Sequence, residues 1–156
     1  MQVAKVVQIN VSGGGVPKRP TNEAKIGFLG IEGDAHNDKK YHGGPQRALC
    51  LFSLEVIEKL RGEGHPIAPG TAGENLTISG LDWASVKPGK RYRLGPVEIE
   101  ITSFTSPCRN IIDSFKDGDF IRISNRLYED ESRVYAKVLK PGMIAVGVTV
   151  KELMDD

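Results

Sequence analysis

The sequence lacks any hydrophobic run that approaches the roughly 20 apolar residues needed to cross a bilayer. Its N-terminal stretch, MQVAKVVQINV, also lacks the basic start, continuous apolar centre and small-residue cleavage site of a signal peptide. These two absences predict a cytoplasmic protein with no membrane partner.

Charge of one sign is not in excess either, because 21 lysines and arginines face 20 aspartates and glutamates. A balanced chain has no electrostatic footprint for nucleic acid, so we expect no nucleic-acid partner. Cysteine is scarce: the only two are Cys50 and Cys108, too few for a four-cysteine iron–sulfur cluster. In the reducing cytoplasm both are expected to be free thiols rather than a disulfide.

No internal repeat, low-complexity tract or linker divides the chain, so residues 1–156 are predicted to form a single domain. What the chain does contain is glycine, 18 residues, together with nine prolines. This composition is typical of many tight turns between short strands.

Several segments alternate as strands do. VAKVVQINVS opens the chain, RALCLFS is a short apolar run, and RYRLGPVEIEI predicts two strands joined at Gly95-Pro96. The tail MIAVGVTVKEL predicts one more strand. Ser53 is a natural N-cap for the helix LEVIEKLRGEG, whose apolar face is Val56, Ile57 and Leu60. The fold class predicted is mainly β, a barrel of short antiparallel or mixed strands with a few peripheral helices.

Cys108 lies in SPCRNII, at the end of the strand VEIEIT. Arg109 beside it supplies positive charge, and RNIID could begin a helix whose first N–H groups point at the sulfur; both features favour a reactive thiolate. The alternative is a small buried hydrophobe. Cys50, flanked by leucines in ALCLF, favours the inert core interpretation.

Two other segments collect polar groups. GDAHNDKKYHGGPQRA carries His42 before Gly43 and Gly44; its histidine either pins the loop or serves a site, and its spacing matches no zinc pattern. In GTAGENLTISG, Glu74 and Asn75 precede a strand, where a carboxylate and an amide can anchor a turn as readily as a ligand.

Taken in order, GDAHNDKKYHGGPQRAL, GTAGENLTISGLDW and SPCRNI, followed by VLKPGMIAVG, closely resemble the MOSC domain family. That family takes its name from the C-terminal domain of molybdenum cofactor sulfurases. The resemblance runs from Ile31 to Val148 and implies a β-barrel that handles sulfur or the molybdenum–pterin cofactor, molybdopterin.

The resemblance also implies site residues. Cys108 takes the catalytic and metal-ligand position, His42, Gly43 and Gly44 match the family's HGG, and Glu74 and Asn75 match its GENL. Arg109 is a candidate for an anionic cofactor group, since a guanidinium forks onto phosphate oxygens. Two departures weaken the match.

The first departure is that Thr105 and Ser106 stand where many members have an arginine before the cysteine. The second is that Gly147-Val148 stands where the family often has Gly-Asp.

Three functions are weighed. The first is a module that binds the molybdenum cofactor or carries sulfur to it as a Cys108 persulfide, with a pyridoxal-phosphate-dependent cysteine desulfurase and a cofactor-synthesis or acceptor enzyme as partners. The second is the molybdenum-dependent subunit of a reductase of N-hydroxylated compounds, with the Cys108 thiolate on the metal. The third is a non-catalytic adaptor barrel, since a fold does not dictate function.

Overall fold

The structure is a computed structural model, and it describes residues 3–12, 19–34 and 44–154. These residues form eleven strands, which confirms the mainly β class. The strands are β1 Lys5–Val11, β2 Arg19–Thr21, β3 Glu23–Gly27, β4 Gly30–Ile31, β5 Leu49–Ser53, β6 Leu76–Ser79, β7 Arg91–Leu94, β8 Val97–Phe104, β9 Val134–Lys140, β10 Gly142–Ala145 and β11 Val150–Leu153.

Two sheets hold the strands. The larger has the order β11-β7-β8-β9-β5-β6-β1-β2, and the smaller has the order β10-β3-β4. Neighbouring strands pair antiparallel, except that β5 and β6 pair parallel. The helix α1, Leu54–Gly62, connects these two strands in the chain. The parallel pair puts the start of β6 beside the middle of β5, where Leu51 faces Leu76.

The larger sheet is open in its ladder order, so the predicted barrel stays a prediction. One isolated antiparallel bridge, between Lys5 and Thr149, connects β1 to the segment before β11. Three backbone hydrogen bonds support it, from Val6 N to Val148 O at 3.0 Å, from Gly147 N to Val6 O at 2.8 Å and from Val150 N to Ala4 O at 2.9 Å.

Local patterns explain most elements. The Ser53 hydroxyl accepts a hydrogen bond from Val56 N at 3.2 Å, so it caps α1 as predicted. The helix buries Val56, Ile57 and Leu60 against the sheet, again as predicted. In β8 the residues Val97, Ile99 and Ile101 are fully buried in the core, and a turn at Gly95-Pro96 leads into them.

The C-terminal tail corrects one prediction. MIAVGVTVKEL was expected to form one strand, but it forms two, β10 in the smaller sheet and β11 in the larger. The chain turns between them, where Val148 N donates to Ala145 O at 3.1 Å and Gly147 takes a φ of 96°, a value that suits glycine alone among common residues.

The segment after Cys108 forms 3₁₀ helices rather than α-helix. They span Arg109–Ser114, Lys116–Gly118 and Phe120–Ile123, and two shorter ones lie at Pro45–Arg47 and Trp83–Ser85. Among the described residues, no helix has both the length and the apolar composition to cross a membrane.

Candidate functional site

A polar cluster covers the face of β5, β8 and β9 that points away from the hydrophobic core. Cys50 pairs directly with Tyr135, and Tyr135 pairs with Ser103, so these three side chains share one face. Cys50 and Tyr135 are each 7% exposed, yet neither belongs to the core cluster that contains Leu49 and Leu51. Cys50 is therefore buried as predicted, but beside polar groups instead of in the apolar interior.

Hydroxyl and guanidinium groups complete this face. Thr105 Oγ1 lies 3.8 Å from Cys50 Sγ. The Arg47 guanidinium carbon lies 5.5 Å from the centroid of the Tyr135 ring, which is within cation–π range. Arg47 ends the 3₁₀ helix Pro45–Arg47, which begins just after Gly44. The residues that directly follow the HGG motif therefore reach the same face.

The pKa of Tyr135 is shifted by several groups around this face. Burial raises the pKa of its phenol, the Cys50 thiol raises it further, the Arg133 and Arg47 guanidiniums lower it, and the Cys108 thiol raises it. Both cysteines are thus within electrostatic reach of one phenol. With its pKa raised, the phenol is protonated at neutral pH and can donate a hydrogen bond.

Asn75 joins three segments through its amide. Its Oδ1 accepts from Cys50 N at 2.9 Å, and its Nδ2 donates to Asp34 Oδ2 at 2.8 Å and to Asn10 O at 3.4 Å. Asp34 Oδ1 in turn accepts from Ser12 N at 2.9 Å. The Asn75 side chain is 1% exposed. From inside the protein it holds Asp34, at the start of the segment GDAHNDKKYHGGPQRA, against β5 and β1.

Glu74 is fully buried, with the Thr77 hydroxyl donating to its Oε2 at 3.0 Å. Burial raises the pKa of this carboxyl, and hydrogen bonds from the Gly70 backbone and from Thr77, with the charge of Arg133, oppose that rise. Its Oε1 has no hydrogen-bond partner in the part of the chain that the structure describes. The Glu74 carboxyl group therefore lies in the protein interior.

Arg133, at the entrance to β9, is 4% exposed. Its Nη1 donates to Ala72 O at 2.8 Å and its Nη2 donates to Ser106 O at 3.3 Å. Ala72 directly precedes the segment Gly73–Leu76, and Ser106 lies two residues before Cys108. One guanidinium thus brings the GENL and SPCRN segments together.

Cys108 itself is half-buried and is the residue before the 3₁₀ helix Arg109–Ser114. Its backbone oxygen accepts from Ile111 N at 3.2 Å, but its side chain makes no capping hydrogen bond. The expectation that helix N–H groups point at the sulfur is therefore wrong. Arg109 is exposed, so it can meet a ligand only from the solvent side.

The sequence-predicted residues are thus partly assembled. Glu74 and Asn75 lie inside the protein and support the site, Cys108 and Arg109 lie at its edge, and Gly44 precedes Arg47. His42 and Gly43 lie outside the described residues.

Sequence reasoning missed Arg133 and Tyr135. The one signal for Tyr135 was its place in an alternating strand whose other face is apolar.

The donor set limits the cofactors that fit. Within residues 3–12, 19–34 and 44–154, no group of three or more His, Cys, Asp or Glu side chains is arranged to hold a metal ion. A metal that brings its own chelating ligand needs only one thiolate from the protein, and Cys108 is a half-buried thiol next to Arg109 in the sequence. The site therefore fits a metal that is largely ligated by a carried cofactor.

Comparisons with known proteins identify relatives of this chain. The chain is similar to YflK of Bacillus subtilis strain 168, an uncharacterized protein, with 27% identity over 144 residues, 89% of this chain and 63% of YflK. It is similar to YiiM of Escherichia coli K12, with 32% identity over 105 residues, 65% of this chain and 47% of YiiM. The chain thus spans less than two thirds of the length of either relative.

Solved structures show the same fold. The crystal structure of YiiM from Escherichia coli matches with a TM-score of 0.71 and 23% identity over 97% of this chain and 71% of that one. The crystal structure of the YUAD protein from Bacillus subtilis matches with a TM-score of 0.74 and 17% identity over 99% of this chain and 98% of that one.

The model of one protein family matches residues 38–151, which is most of the chain and includes β5, β8 and β9 with their polar face. Its range includes the HGG, GENL and SPCRN segments together with Arg133 and Tyr135. The chain belongs to the MOSC domain family.

Proposed function

We propose that this protein binds the molybdenum cofactor, or carries sulfur to it, through the thiolate of Cys108. The observation that carries the proposal is the placement of a half-buried thiol in a segment that a buried guanidinium ties to the GENL loop. A soft thiolate suits both molybdenum and a persulfide, and the neighbouring cations favour an anionic ligand. When bound, the cofactor would supply metal-centred redox chemistry.

Each residue of the site has a proposed part. Cys108 is the ligand or sulfur carrier, and Arg109 and Arg47 meet anionic groups of the cofactor from the solvent side and from the sheet face. The protonated Tyr135 phenol offers a hydrogen-bond donor. Gly44 gives the backbone the φ of 81° that places the 3₁₀ helix Pro45–Arg47 beside the site, and His42 and Gly43 belong to the same segment.

In the sulfur-carrier form, a partner cysteine desulfurase with pyridoxal phosphate holds a persulfide on its own cysteine. The Cys108 thiolate attacks the terminal sulfur, an S–S bond forms at Cys108, and the partner's thiolate leaves. A thiolate of the cofactor-synthesis or acceptor enzyme then attacks the terminal sulfur in the same way, a new S–S bond forms on that enzyme as the S–S bond at Cys108 breaks, and Cys108 returns as thiolate. This exchange needs no external oxidant or reductant, and we propose that it takes place in the cytoplasm, in a sheet closed as a barrel across the Lys5–Thr149 bridge.

The test compares three chains produced in a host that makes the cofactor: the native chain, Cys108→Ala and the matched control Cys50→Ala. We expect molybdenum, or a persulfide detected by mass spectrometry after incubation with a cysteine desulfurase and cysteine, in the native chain and in Cys50→Ala. We expect neither in Cys108→Ala. A native chain that carries neither molybdenum nor persulfide would contradict the proposal.

The same samples separate the alternatives. A reductase subunit with bound molybdenum should consume an N-hydroxylated base when a chemical reductant is supplied, whereas a carrier should not. An adaptor should carry neither group and should remain unchanged by Cys108→Ala.

A further inference from the structure

The residues before Cys108 are held by a single dipeptide, Ser132-Arg133. Thr105 N donates to Arg133 O at 2.9 Å, and the single proton of Ser132 Oγ faces Arg133 O at 2.8 Å and Thr105 O at 3.3 Å. Arg133 Nη2 then donates to Ser106 O at 3.3 Å. Two hydrogen bonds, from Thr105 N to Arg133 O and from Arg133 Nη2 to Ser106 O, thus fix the backbone that leads into Cys108.

The other arm of the guanidinium reaches a different part of the chain. Arg133 Nη1 donates to Ala72 O at 2.8 Å, and Ser114 Oγ, from the 3₁₀ helix after Cys108, donates to Thr71 O at 3.1 Å. The segments before and after Cys108 are therefore both anchored to residues 71–72. A planar guanidinium with a fixed fork of donors can hold two carbonyls at a set separation, which a lysine cannot.

The charge of Arg133 is balanced less completely than its burial requires. Glu74 is the carboxylate whose pKa Arg133 lowers, and both side chains are buried. Yet Arg133 Nε and Glu74 Oε1 have no hydrogen-bond partner among the described residues. Buried polar atoms without partners cost stability, so charge pairing alone does not account for the position of Arg133.

We propose that Arg133 is a positioning residue for Cys108: its guanidinium fixes the Thr105–Cys108 segment to the loop before Gly73–Leu76, with Glu74 as the internal counter-charge. The arrangement sets how far the thiol reaches out of the polar face. The inference rests on the proposed role of Cys108, but it concerns the protein alone and needs no cofactor for its test.

The test measures the rate at which iodoacetamide alkylates Cys108, followed on the Cys108 peptide by mass spectrometry. Each variant is measured at a temperature equally far below its own unfolding midpoint, so that a general loss of stability is matched. We expect Arg133→Met to raise the rate about tenfold, because the freed segment opens locally.

The matched control is Arg122→Met, which removes an arginine of similar burial, 6% exposed, far from Cys108 in its contacts. We expect its Cys108 rate to stay within about twofold of the native rate, because its bonds are to Glu63 and Glu131. Arg133→Lys should give a smaller rise than Arg133→Met, since an ammonium keeps the charge near Glu74 and can reach only one carbonyl.

An Arg133→Met rate within about twofold of the native rate, or an equal rise in Arg122→Met, would overturn the proposal. If Arg133→Met does not fold, Arg133→Lys decides by the same criterion. Failure here leaves molybdenum retention and persulfide formation untouched as tests of the proposed function, so the two failures are distinguishable.

Discussion

Two arginines are almost equally buried in this protein, and they are used in opposite ways. Arg122 Nε and Nη2 donate to the two carboxylate oxygens of Glu63 at 2.8 and 2.9 Å, and its Nη1 lies 3.2 Å from Glu131. Its guanidinium carbon also lies 3.9 Å from the centroid of the Tyr128 ring. Arg133, by contrast, bonds only to backbone carbonyls within the part of the chain that the structure describes.

The carboxylates reflect the same difference. The hydrogen bond from Arg122 lowers the pKa of Glu63, whereas burial raises the pKa of Glu74 despite the charge of Arg133. The first arrangement sets charge against charge and joins the end of α1 to the turn around residues 128–131, although Arg122 Nη1 meets Glu131 without a hydrogen bond. The second leaves Arg133 Nε and Glu74 Oε1 without hydrogen-bond partners among the described residues and joins two loops at Cys108. Stability and placement are thus served by separate arginines.

The largest effect on stability should come from removing the Asn75 side chain, which bonds to Cys50 N and to Asp34. We expect Asn75→Ala to lower the free energy of unfolding by about 3 kcal/mol, because Cys50 N–H and the Asp34 carboxylate each lose a buried partner. Urea unfolding at neutral pH measures it. The exposed Asn110→Ala is the control, with an expected change below about 0.5 kcal/mol, and a loss for Asn75→Ala no larger than that would refute the role.

A smaller loss is expected on the Arg122 side. Arg122→Met should cost about 2 kcal/mol, less than the 3–5 kcal/mol typical of breaking a fully buried pair, because Glu63 remains partly solvated. Differential scanning calorimetry beside the exposed Arg126→Met provides the comparison. Equal midpoints for the two variants would show that the Glu63 and Glu131 contacts add no stability.

The smallest effect should be on the pH dependence of the free energy of unfolding, to which Glu74 and Glu63 contribute with opposite sign. The folded chain keeps its proton on Glu74 to higher pH than the unfolded chain does, so the contribution of Glu74 is present below about pH 4.5 and is lost as pH rises through the raised pKa. Relative to Glu74→Gln, the native chain should lose stability as pH rises. Relative to Glu63→Gln, it should lose stability as pH falls below 4.5, because the pKa of Glu63 is lowered.

Urea unfolding of the native chain and both variants across this pH range checks the two slopes. The paired glutamine variants control for each other, since each removes one carboxylate and keeps the side-chain shape. Slopes of the same sign would remove the contrast between the two arginine centres.

The parts of the fold that the sequence predicted are those set by neighbours along the chain. The Ser53 cap, the apolar face of α1 and the alternation of β8 all depend on residues within a few positions. The split of the tail into β10 and β11 was not predicted, because each strand is fixed by a partner far away in sequence, β3 and β7.

The site divides in the same way. The ordered motifs led to Cys108, Glu74 and Asn75, but Arg133 was missed because its partners are 27 and 61 residues away. Cys50 was assigned to the core from its two leucine neighbours, although alternation places Leu49 and Leu51 on the opposite face of the strand from it. Alternation alone could not reveal the polar neighbours of Cys50, because it groups Cys50 with the core residues Ala48 and Phe52.

The contact between β1 and the segment before β11 has a consequence for how the chain acquires its fold. Lys5 bridges Thr149, and β1 also pairs with β6, so the first strand pairs with segments that are synthesised much later than it is. Contacts between residues that are far apart in the sequence slow folding, because the chain loses the entropy of closing the loop before the contact stabilises it. On the ribosome, the sheet that carries the polar face stays incomplete until almost the whole domain has emerged.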